Sequence, residues 1–151
     1  MKRNKFFNFF FKILNYPFSL KYRWNYKNMI RKKTISDRFS LIYEKNLWLS
    51  NETRSGEGSE LYYTERLRAW LIKKILFLKV KTFVDAPCGD FNWMKKVLFE
   101  LNKNKFSKKK IFYFGFDIVE KIIKENNKLY KNNYINFSVA DICQDTLPSC
   151  D

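Results

Sequence analysis

The sequence predicts an α/β domain built on a parallel, doubly wound sheet. Three short runs rich in β-branched and aromatic residues alternate with helix-like stretches; the runs read TFVDA, KIFYFGFDI and YINFSVADI. Each run ends at an aspartate that precedes a turn. Strands that alternate with helices pair in parallel, because each crossover helix returns the chain to the same end of the sheet.

The chain ahead of the first strand is predicted to be helical. Residues 1–36 contain no acidic residue and are interpreted as a basic, aromatic extension with helical character, ahead of a domain over 37–151. A helix is expected after Ser36, a residue type suited to the N-cap. One face of this helix carries Phe39, Ile42 and Tyr43. The helix is expected to end near NLWLSNETRSGEGSE, where glycines and small polar residues indicate a loop.

A second helix follows this loop. Ser59 is expected to cap it, with the acidic Glu60 favourably placed in its first turn. Apolar residues then recur at helical spacing to about residue 79, and most of this stripe is expected to be core: Leu61, Leu67, Leu71, Ile75 and Leu78. Beyond the first strand, helices are expected from about Asn92 to Asn102 and through VEKIIKENNKLYK.

Composition excludes some classes of site. The three cysteines form no CxxC pair, which argues against a disulfide scaffold and a zinc site and fits a reducing, cytoplasmic location. The chain has no histidine, the commonest general base and metal ligand, so no metal site is predicted.

The formal charge of +15 would ordinarily suggest a nucleic-acid or membrane partner. The enriched residues have A/T-rich codons, so we give the charge little weight and consider nucleic acid an improbable partner. The N-terminal MKRNKFFNFFFKIL is interrupted by Asn8 and Lys12 and is too short to span a bilayer. Peripheral contact with a membrane surface stays open as an alternative.

The aspartates at the strand ends indicate a ligand site. In an open α/β sheet, ligands bind beyond the carboxyl ends of the strands, where Asp85, Asp117 and Asp141 would converge. An acid after the second strand suits ribose hydroxyls, and one after the third suits an exocyclic amine. DAPCGDF offers the single Gly89 instead of a pyrophosphate cradle, so a smaller anion such as an amino-acid carboxylate fits better. These groups together describe S-adenosylmethionine.

From about residue 43 onward, the chain resembles class I S-adenosylmethionine-dependent methyltransferases, which have a Rossmann-like sheet. Within that family it is similar to bacterial members with SG.GS upstream of DAPCGDFNWM. The resemblance rests on SGEGSELYYTERLRAWL, VDAPCGDFNWM, FGFDI and VADICQDTLPSCD. Pro87 and Phe91 stand where the broad superfamily pattern has glycines.

The resemblance implies a role for each site residue. Asp85 and Gly89 would lie beside the methionine part of the cofactor, with Ala86 in the same site. Asp117 would bind the ribose hydroxyls, and Ile118 would pack on adenine. Asp141 would accept from adenine N6 and the Ile142 N–H would donate to a ring nitrogen. The upstream loop would close over the cofactor through Ser55, Gly56, Gly58 and Ser59.

Plainer interpretations remain for each of these residues. Asp85 and Asp117 could be strand-end caps, and Asp141 could be a turn residue. We interpret Cys88 as a packing residue instead of a nucleophile, since no base accompanies it. SGEGS could be a linker before a helix. Two further residues, Trp93 and Met94, are expected to be core.

The sequence stops where a fourth strand is expected, so we expect a sheet that is truncated after its third strand. We therefore expect the cofactor-binding half of a methyltransferase: a fragment, a frameshifted product or one piece of a split protein. Alone it is expected to fold poorly and to be inactive, with the KTFVDA edge unpaired. The methyl acceptor, a small molecule or a glycan, and the catalytic residues stay unidentified. The alternatives are a non-catalytic basic module that binds nucleic acid or membranes, and a nicotinamide-dependent oxidoreductase.

Overall fold

A computed structural model describes residue 31, residues 33–103 and residues 110–151. The contacts divide the chain into one unit that ends at Arg38 and a second that begins at Phe39. Nearly all of the predicted extension over 1–36, including its aromatic start and its helical character, lies outside the described residues. Among the helices of the described ranges, none has the length and hydropathy needed to cross a membrane.

Helix α1 spans Ile35–Lys45, and its start corrects the predicted cap. The Asp37 N–H donates to Thr34 Oγ1 over 3.1 Å, and the Thr34 hydroxyl donates to Asp37 Oδ2 over 2.7 Å. Thr34 therefore satisfies a free donor of the first turn, and Ser36 lies inside the helix. The prediction of Ser36 as N-cap was wrong because a hydroxyl two residues earlier is in reach of the same backbone.

The second helix starts later than predicted. A 3-10 helix spans Glu57–Ser59, and α2 spans Leu61–Leu78 with Glu60 at its N-cap. Ser59 is thus the last residue of the 3-10 turn and not a cap. A more distant acid takes the capping role, because Glu52 Oε1 accepts the Leu61 N–H over 2.8 Å.

Helix α2 buries a narrower face than its apolar stripe suggested. Thr64 and Ile75 are buried, whereas Leu67 is 47% and Leu78 is 64% exposed. The helix packs on α3, Met94–Lys103, through the side that carries Leu71, Ile72, Ile75 and Leu76. At 100° per residue, Leu67 and Leu78 lie well to one side of that contact. The expectation that most of the stripe is core therefore holds for Ile75 and Leu71 and fails for Leu67 and Leu78.

The sheet has three parallel strands in the order β1-β2-β3: Thr82–Asp85, Phe112–Asp117 and Ile135–Val139. In the register, Asp85 lies opposite Gly115, and Gly115 lies opposite Phe137. Helix α3 connects β1 to β2, and α4, Glu120–Tyr130, connects β2 to β3 and contacts both. The α/β prediction is confirmed as a parallel sheet flanked by helices, an arrangement compatible with a Rossmann-like fold.

Phe91 lies at the centre of the core. Its ring is 2% exposed and lies 5.0 Å from the Tyr113 ring, 5.0 Å from Phe137 and 5.3 Å from Tyr130, measured between centroids. Gly115 makes room for this packing, since a Cβ there would lie 2.6 Å from Phe137 Cδ1. Met94 is 1% exposed and Trp93 packs against the same cluster, so both are core as predicted.

Candidate functional site

The site begins where β1 ends and the chain turns through Ala86, Pro87, Cys88 and Gly89. The Ala86–Pro87 peptide bond is cis. The Cys88 N–H donates to the Phe116 carbonyl over 2.8 Å, which fastens the turn to the end of β2. Gly89 has a φ of 55°, a left-handed conformation that favours glycine. The turn thus brings Gly89 to the carboxyl ends of the strands.

Asp117, the last residue of β2, binds this turn directly. Its Oδ2 accepts the Gly89 N–H over 3.0 Å, and its Oδ1 accepts the Val119 N–H over 3.0 Å. The side chain is 6% exposed, and this burial raises its pKa, while backbone hydrogen bonds from Val119, Gly89 and Ile118 act in the opposite direction. The structure therefore places Asp117 against Gly89.

Asp85, the last residue of β1, lies beside Asp117. Its Oδ2 accepts the Tyr113 hydroxyl over 2.7 Å. Burial is the main reason that the Asp85 pKa rises to about 6; the Asp117 charge adds to the rise, and the bond from Tyr113 opposes it. Burial also raises the pKa of Tyr113 well above its usual value. The pKa of Asp85 thus lies just below neutral pH.

Asp141 does not end a strand, which corrects one expectation. Strand β3 stops at Val139, where the Ala140 N–H donates to the Asp117 carbonyl over 3.1 Å. Asp141 then organises a turn, because its Oδ1 accepts the Cys143 N–H over 2.9 Å and its own N–H donates to Asp145 Oδ2 over 2.8 Å. A carboxylate that nucleates its own turn ends the strand early.

The two residues assigned to adenine differ in their surroundings. Ile118 is partly buried and packs against a small cluster formed by Tyr43, Val119 and Ile122. Ile142 is 50% exposed within the turn that Asp141 organises. Ile118 directly follows the last residue of β2, and Ile142 lies three residues after the end of β3, so both lie at the carboxyl edge of the sheet.

The upstream loop, residues 50–59, lies directly on the Gly89 turn. The Asp90 N–H donates to Ser55 Oγ over 2.9 Å, and a Cβ on Gly89 would collide with that oxygen. Ser59 Oγ donates to the Ser55 carbonyl over 3.4 Å, inside the loop. Gly56 has a φ of 91° and packs against Trp48. The structure therefore brings the SG.GS segment and the DAPCGD turn into contact.

Three residues of this site were missed in the sequence. Asp90 binds the upstream loop through its carboxylate. Asn92 donates to Glu52 Oε1 over 2.6 Å and to the Ser59 carbonyl over 3.2 Å. The third, Asn126 of α4, is 2% exposed and donates to the Gly89 carbonyl over 2.8 Å. Nothing in the local sequence pairs residues 33 or more positions apart. An asparagine on an apolar helix face was the one available signal.

Cys88 has the environment of a packing residue. Its side chain is 8% exposed within the core, and burial raises its thiol pKa. Its Cβ lies 3.1 Å from the position a Cβ on Gly115 would take. Within the described ranges, no group of three cysteine, aspartate or glutamate residues could bind a metal ion.

A cavity of about 370 Å³ lies elsewhere, near the amino ends of β2 and β3. Ile111, Tyr134 and Ile135 line it, together with Leu98 and Leu101 of α3. The aspartates lie at the other end of the strands. We place the candidate site at the carboxyl ends, because the acids and the left-handed glycine converge there.

A comparison of the chain with models of protein families, with curated proteins and with solved structures finds no match. The geometry of the strand ends is therefore the basis for assigning a function.

Proposed function

We propose that this chain binds S-adenosylmethionine at the carboxyl ends of its strands, as part of a class I methyltransferase with a doubly wound sheet. One observation carries the proposal: the Gly89 N–H donates to Asp117 Oδ2 over 3.0 Å, which joins the turn after β1 to the acid that ends β2. In a parallel sheet of this order, that junction is where a nucleoside and its charged tail meet.

Asp117 has the acceptor capacity that ribose requires. An ionised carboxylate offers about four lone-pair positions, and the backbone donors of Gly89 and Val119 use two of them. A backbone hydrogen bond from Ile118 also reaches this carboxylate, so about one position is left for a ribose hydroxyl.

Asp85 supplies the charge for the other end of the cofactor. The ammonium group of the methionine tail favours an ionised carboxylate nearby, and the pKa of Asp85 lies close enough to neutral for binding to complete its ionisation. Asp141 and the Ile142 N–H serve adenine in this proposal, Ile118 packs on it, and Ala86 and Gly89 line the tail. Gly56 and Ser59 belong to the loop that covers the tail.

The chemistry of methyl transfer sets few demands on these residues. It is an in-line displacement at a sulfonium carbon, and its rate depends on the position of cofactor and acceptor. The described residues act by binding and orienting the cofactor. The turn DAPCGDF has the single Gly89 and no G-x-G-x-x-G cradle for a pyrophosphate, which argues against the nicotinamide alternative.

Calorimetric titration of the full chain tests the proposal. S-adenosylmethionine and its demethylated product are expected to bind at one site with micromolar Kd, and NAD is expected to give no saturable heat. Saturation by NAD with no response to S-adenosylmethionine would overturn it. Binding of duplex DNA that weakens steeply with salt, in a chain that ignores both cofactors, would favour the basic binding module instead.

A further inference from the structure

Asp90 gathers three consecutive residues of the upstream loop. Its carboxylate accepts the Thr53 hydroxyl, at 2.9 Å to Oδ1 and 2.8 Å to Oδ2. It also accepts the Arg54 N–H at 2.7 Å and the Ser55 hydroxyl at 3.1 Å. A further backbone donor, Asn92 N–H, lies 3.3 Å from Oδ1. One side chain thus fixes the centre of a loop that lies 35 to 37 positions earlier in the chain.

The donors to Asp90 are all neutral hydroxyl and backbone groups. Hydrogen bonds to an ionised acceptor are about twice as strong as those between neutral groups, so the carboxylate charge is what makes this contact strong. Ser55 completes the exchange, because its Oγ also accepts the Asp90 N–H over 2.9 Å. Loop and turn therefore bind each other in both directions.

The residue before Asp90 in the same turn, Gly89, binds Asp117. Gly89 donates its N–H to Asp117, and Ser55 occupies the space where a side chain on residue 89 would start. The loop therefore closes one side of the turn while Asp117 binds the other. A loop in this place borders any ligand that lies along the Gly89 backbone.

We propose that Asp90 is a positioning residue that keeps the upstream loop closed on the Gly89 turn, and that the closed loop forms one wall of the cofactor site. The claim that the loop forms a wall of the cofactor site rests on the proposed function, whereas the claim that Asp90 keeps the loop closed does not. Asp90 acts through Thr53 and Ser55 and does not itself touch the cofactor.

Trypsin cleavage of the full chain tests the closed loop. Arg54 is exposed, and its own N–H is bound to Asp90, so cleavage after Arg54 requires the loop to open. Cleavage after Arg66, which lies inside α2, reports unfolding of the domain. The ratio of the two rates, measured by mass spectrometry, separates local opening from loss of the fold.

Thr53→Val and Thr53→Ser form the matched pair, because only the first removes the hydroxyl that donates to Asp90. Thr53→Val and Asp90→Asn are expected to raise the Arg54/Arg66 ratio about fivefold or more, and Thr53→Ser to leave it unchanged. Asp37→Asn is the control for charge, since Asp37 also accepts a threonine hydroxyl but lies outside the site. An unchanged ratio in both Thr53→Val and Asp90→Asn would overturn the proposal that Asp90 keeps the upstream loop closed.

Titration with S-adenosylmethionine tests the wall. Thr53→Val is expected to raise the Kd about tenfold over Thr53→Ser, and saturating cofactor to lower the Arg54/Arg66 ratio of the unmodified chain. Equal Kd values in Thr53→Val and Thr53→Ser would overturn the claim that the closed loop forms one wall of the cofactor site. A chain that does not bind the cofactor at all would contradict the proposed function, and with it the claim that the loop forms a wall of the cofactor site. The cleavage ratio would still decide whether Asp90 keeps the loop closed.

Discussion

Tyr113 donates its hydroxyl hydrogen to Asp85 Oδ2 over 2.7 Å, and the Tyr113 side chain is completely buried. A buried phenol can stabilise a carboxylate by this bond, yet burial disfavours the charge more strongly, so the pKa of Asp85 rises to about 6. The pair therefore links the core of the sheet to the candidate site, and its protonation affects both stability and binding.

Stability is expected to fall as pH rises through the titration of Asp85. The folded-state pKa of about 6 lies above the ordinary 3.8, so the protonated acid favours the fold. This contribution is fully present below about pH 4 and is lost as pH rises to about 6. The difference corresponds to about 3 kcal/mol, from 1.36 kcal/mol for each pKa unit. Urea unfolding from pH 4 to pH 8 measures it.

Asp85→Asn isolates this effect from other titrations. It is expected to raise the free energy of unfolding by about 1 to 2 kcal/mol at pH 8 and to give no gain at pH 4, because only the charged form is penalised. Asp37→Asn is the control: a hydrogen bond from Thr34 lowers the pKa of that exposed acid, so its loss brings no gain at pH 8. Equal gains from Asp85→Asn at both pH values would contradict this account.

Cofactor binding is expected to show the opposite dependence on pH. The ammonium group of S-adenosylmethionine favours ionised Asp85, so affinity should rise as pH increases from about 5 to about 7. Asp117, whose pKa burial also raises, acts in the same direction. Titrations at fixed ionic strength measure the Kd. An affinity independent of pH in the unmodified chain, with the same Kd in Asp85→Asn, would place the ammonium elsewhere.

Asp117→Ala is expected to weaken cofactor binding more than Cys88→Ala does. The carboxylate would make a charge-assisted bond to a ribose hydroxyl, worth about 2 to 3 kcal/mol, or roughly 30- to 150-fold in Kd. The Cys88 thiol lies in the core and donates to the Gly89 carbonyl over 3.6 Å, so no contact with a ligand is expected of it. Circular dichroism first establishes that both variants fold. Similar Kd values for the two would remove Asp117 from the site.

The strands and the turn after β1 were predictable, because each strand is a short β-rich run and the glycine and proline mark the turn. The contact between Ser55 and Asp90 was not, since no local pattern reports hydrogen bonds across 35 positions. Phe91 illustrates a second limit. It has a φ of 59°, a left-handed conformation in which glycine is usual, and burial of its ring among Tyr113 and Phe137 offsets the backbone cost.

Gly89→Ala is expected to destabilise the domain, whereas Gly58→Ala is not. A Cβ on residue 89 costs about 1 kcal/mol in a left-handed conformation, and it displaces Ser55, which breaks the bond from the Asp90 N–H. The total loss is about 2 to 4 kcal/mol in the free energy of unfolding. Gly58 has open space around its Cβ position, so alanine there stays within about 0.5 kcal/mol.

The two glycine variants are compared by urea unfolding at pH 7, with cleavage after Arg54 as a second measurement. Gly89→Ala should also expose the upstream loop, because Ser55 and the new methyl group cannot occupy the same space. Gly58→Ala retains every hydrogen bond between loop and turn and serves as the matched control. If the two variants unfold at the same urea concentration, the upstream loop does not pack on the Gly89 turn in solution.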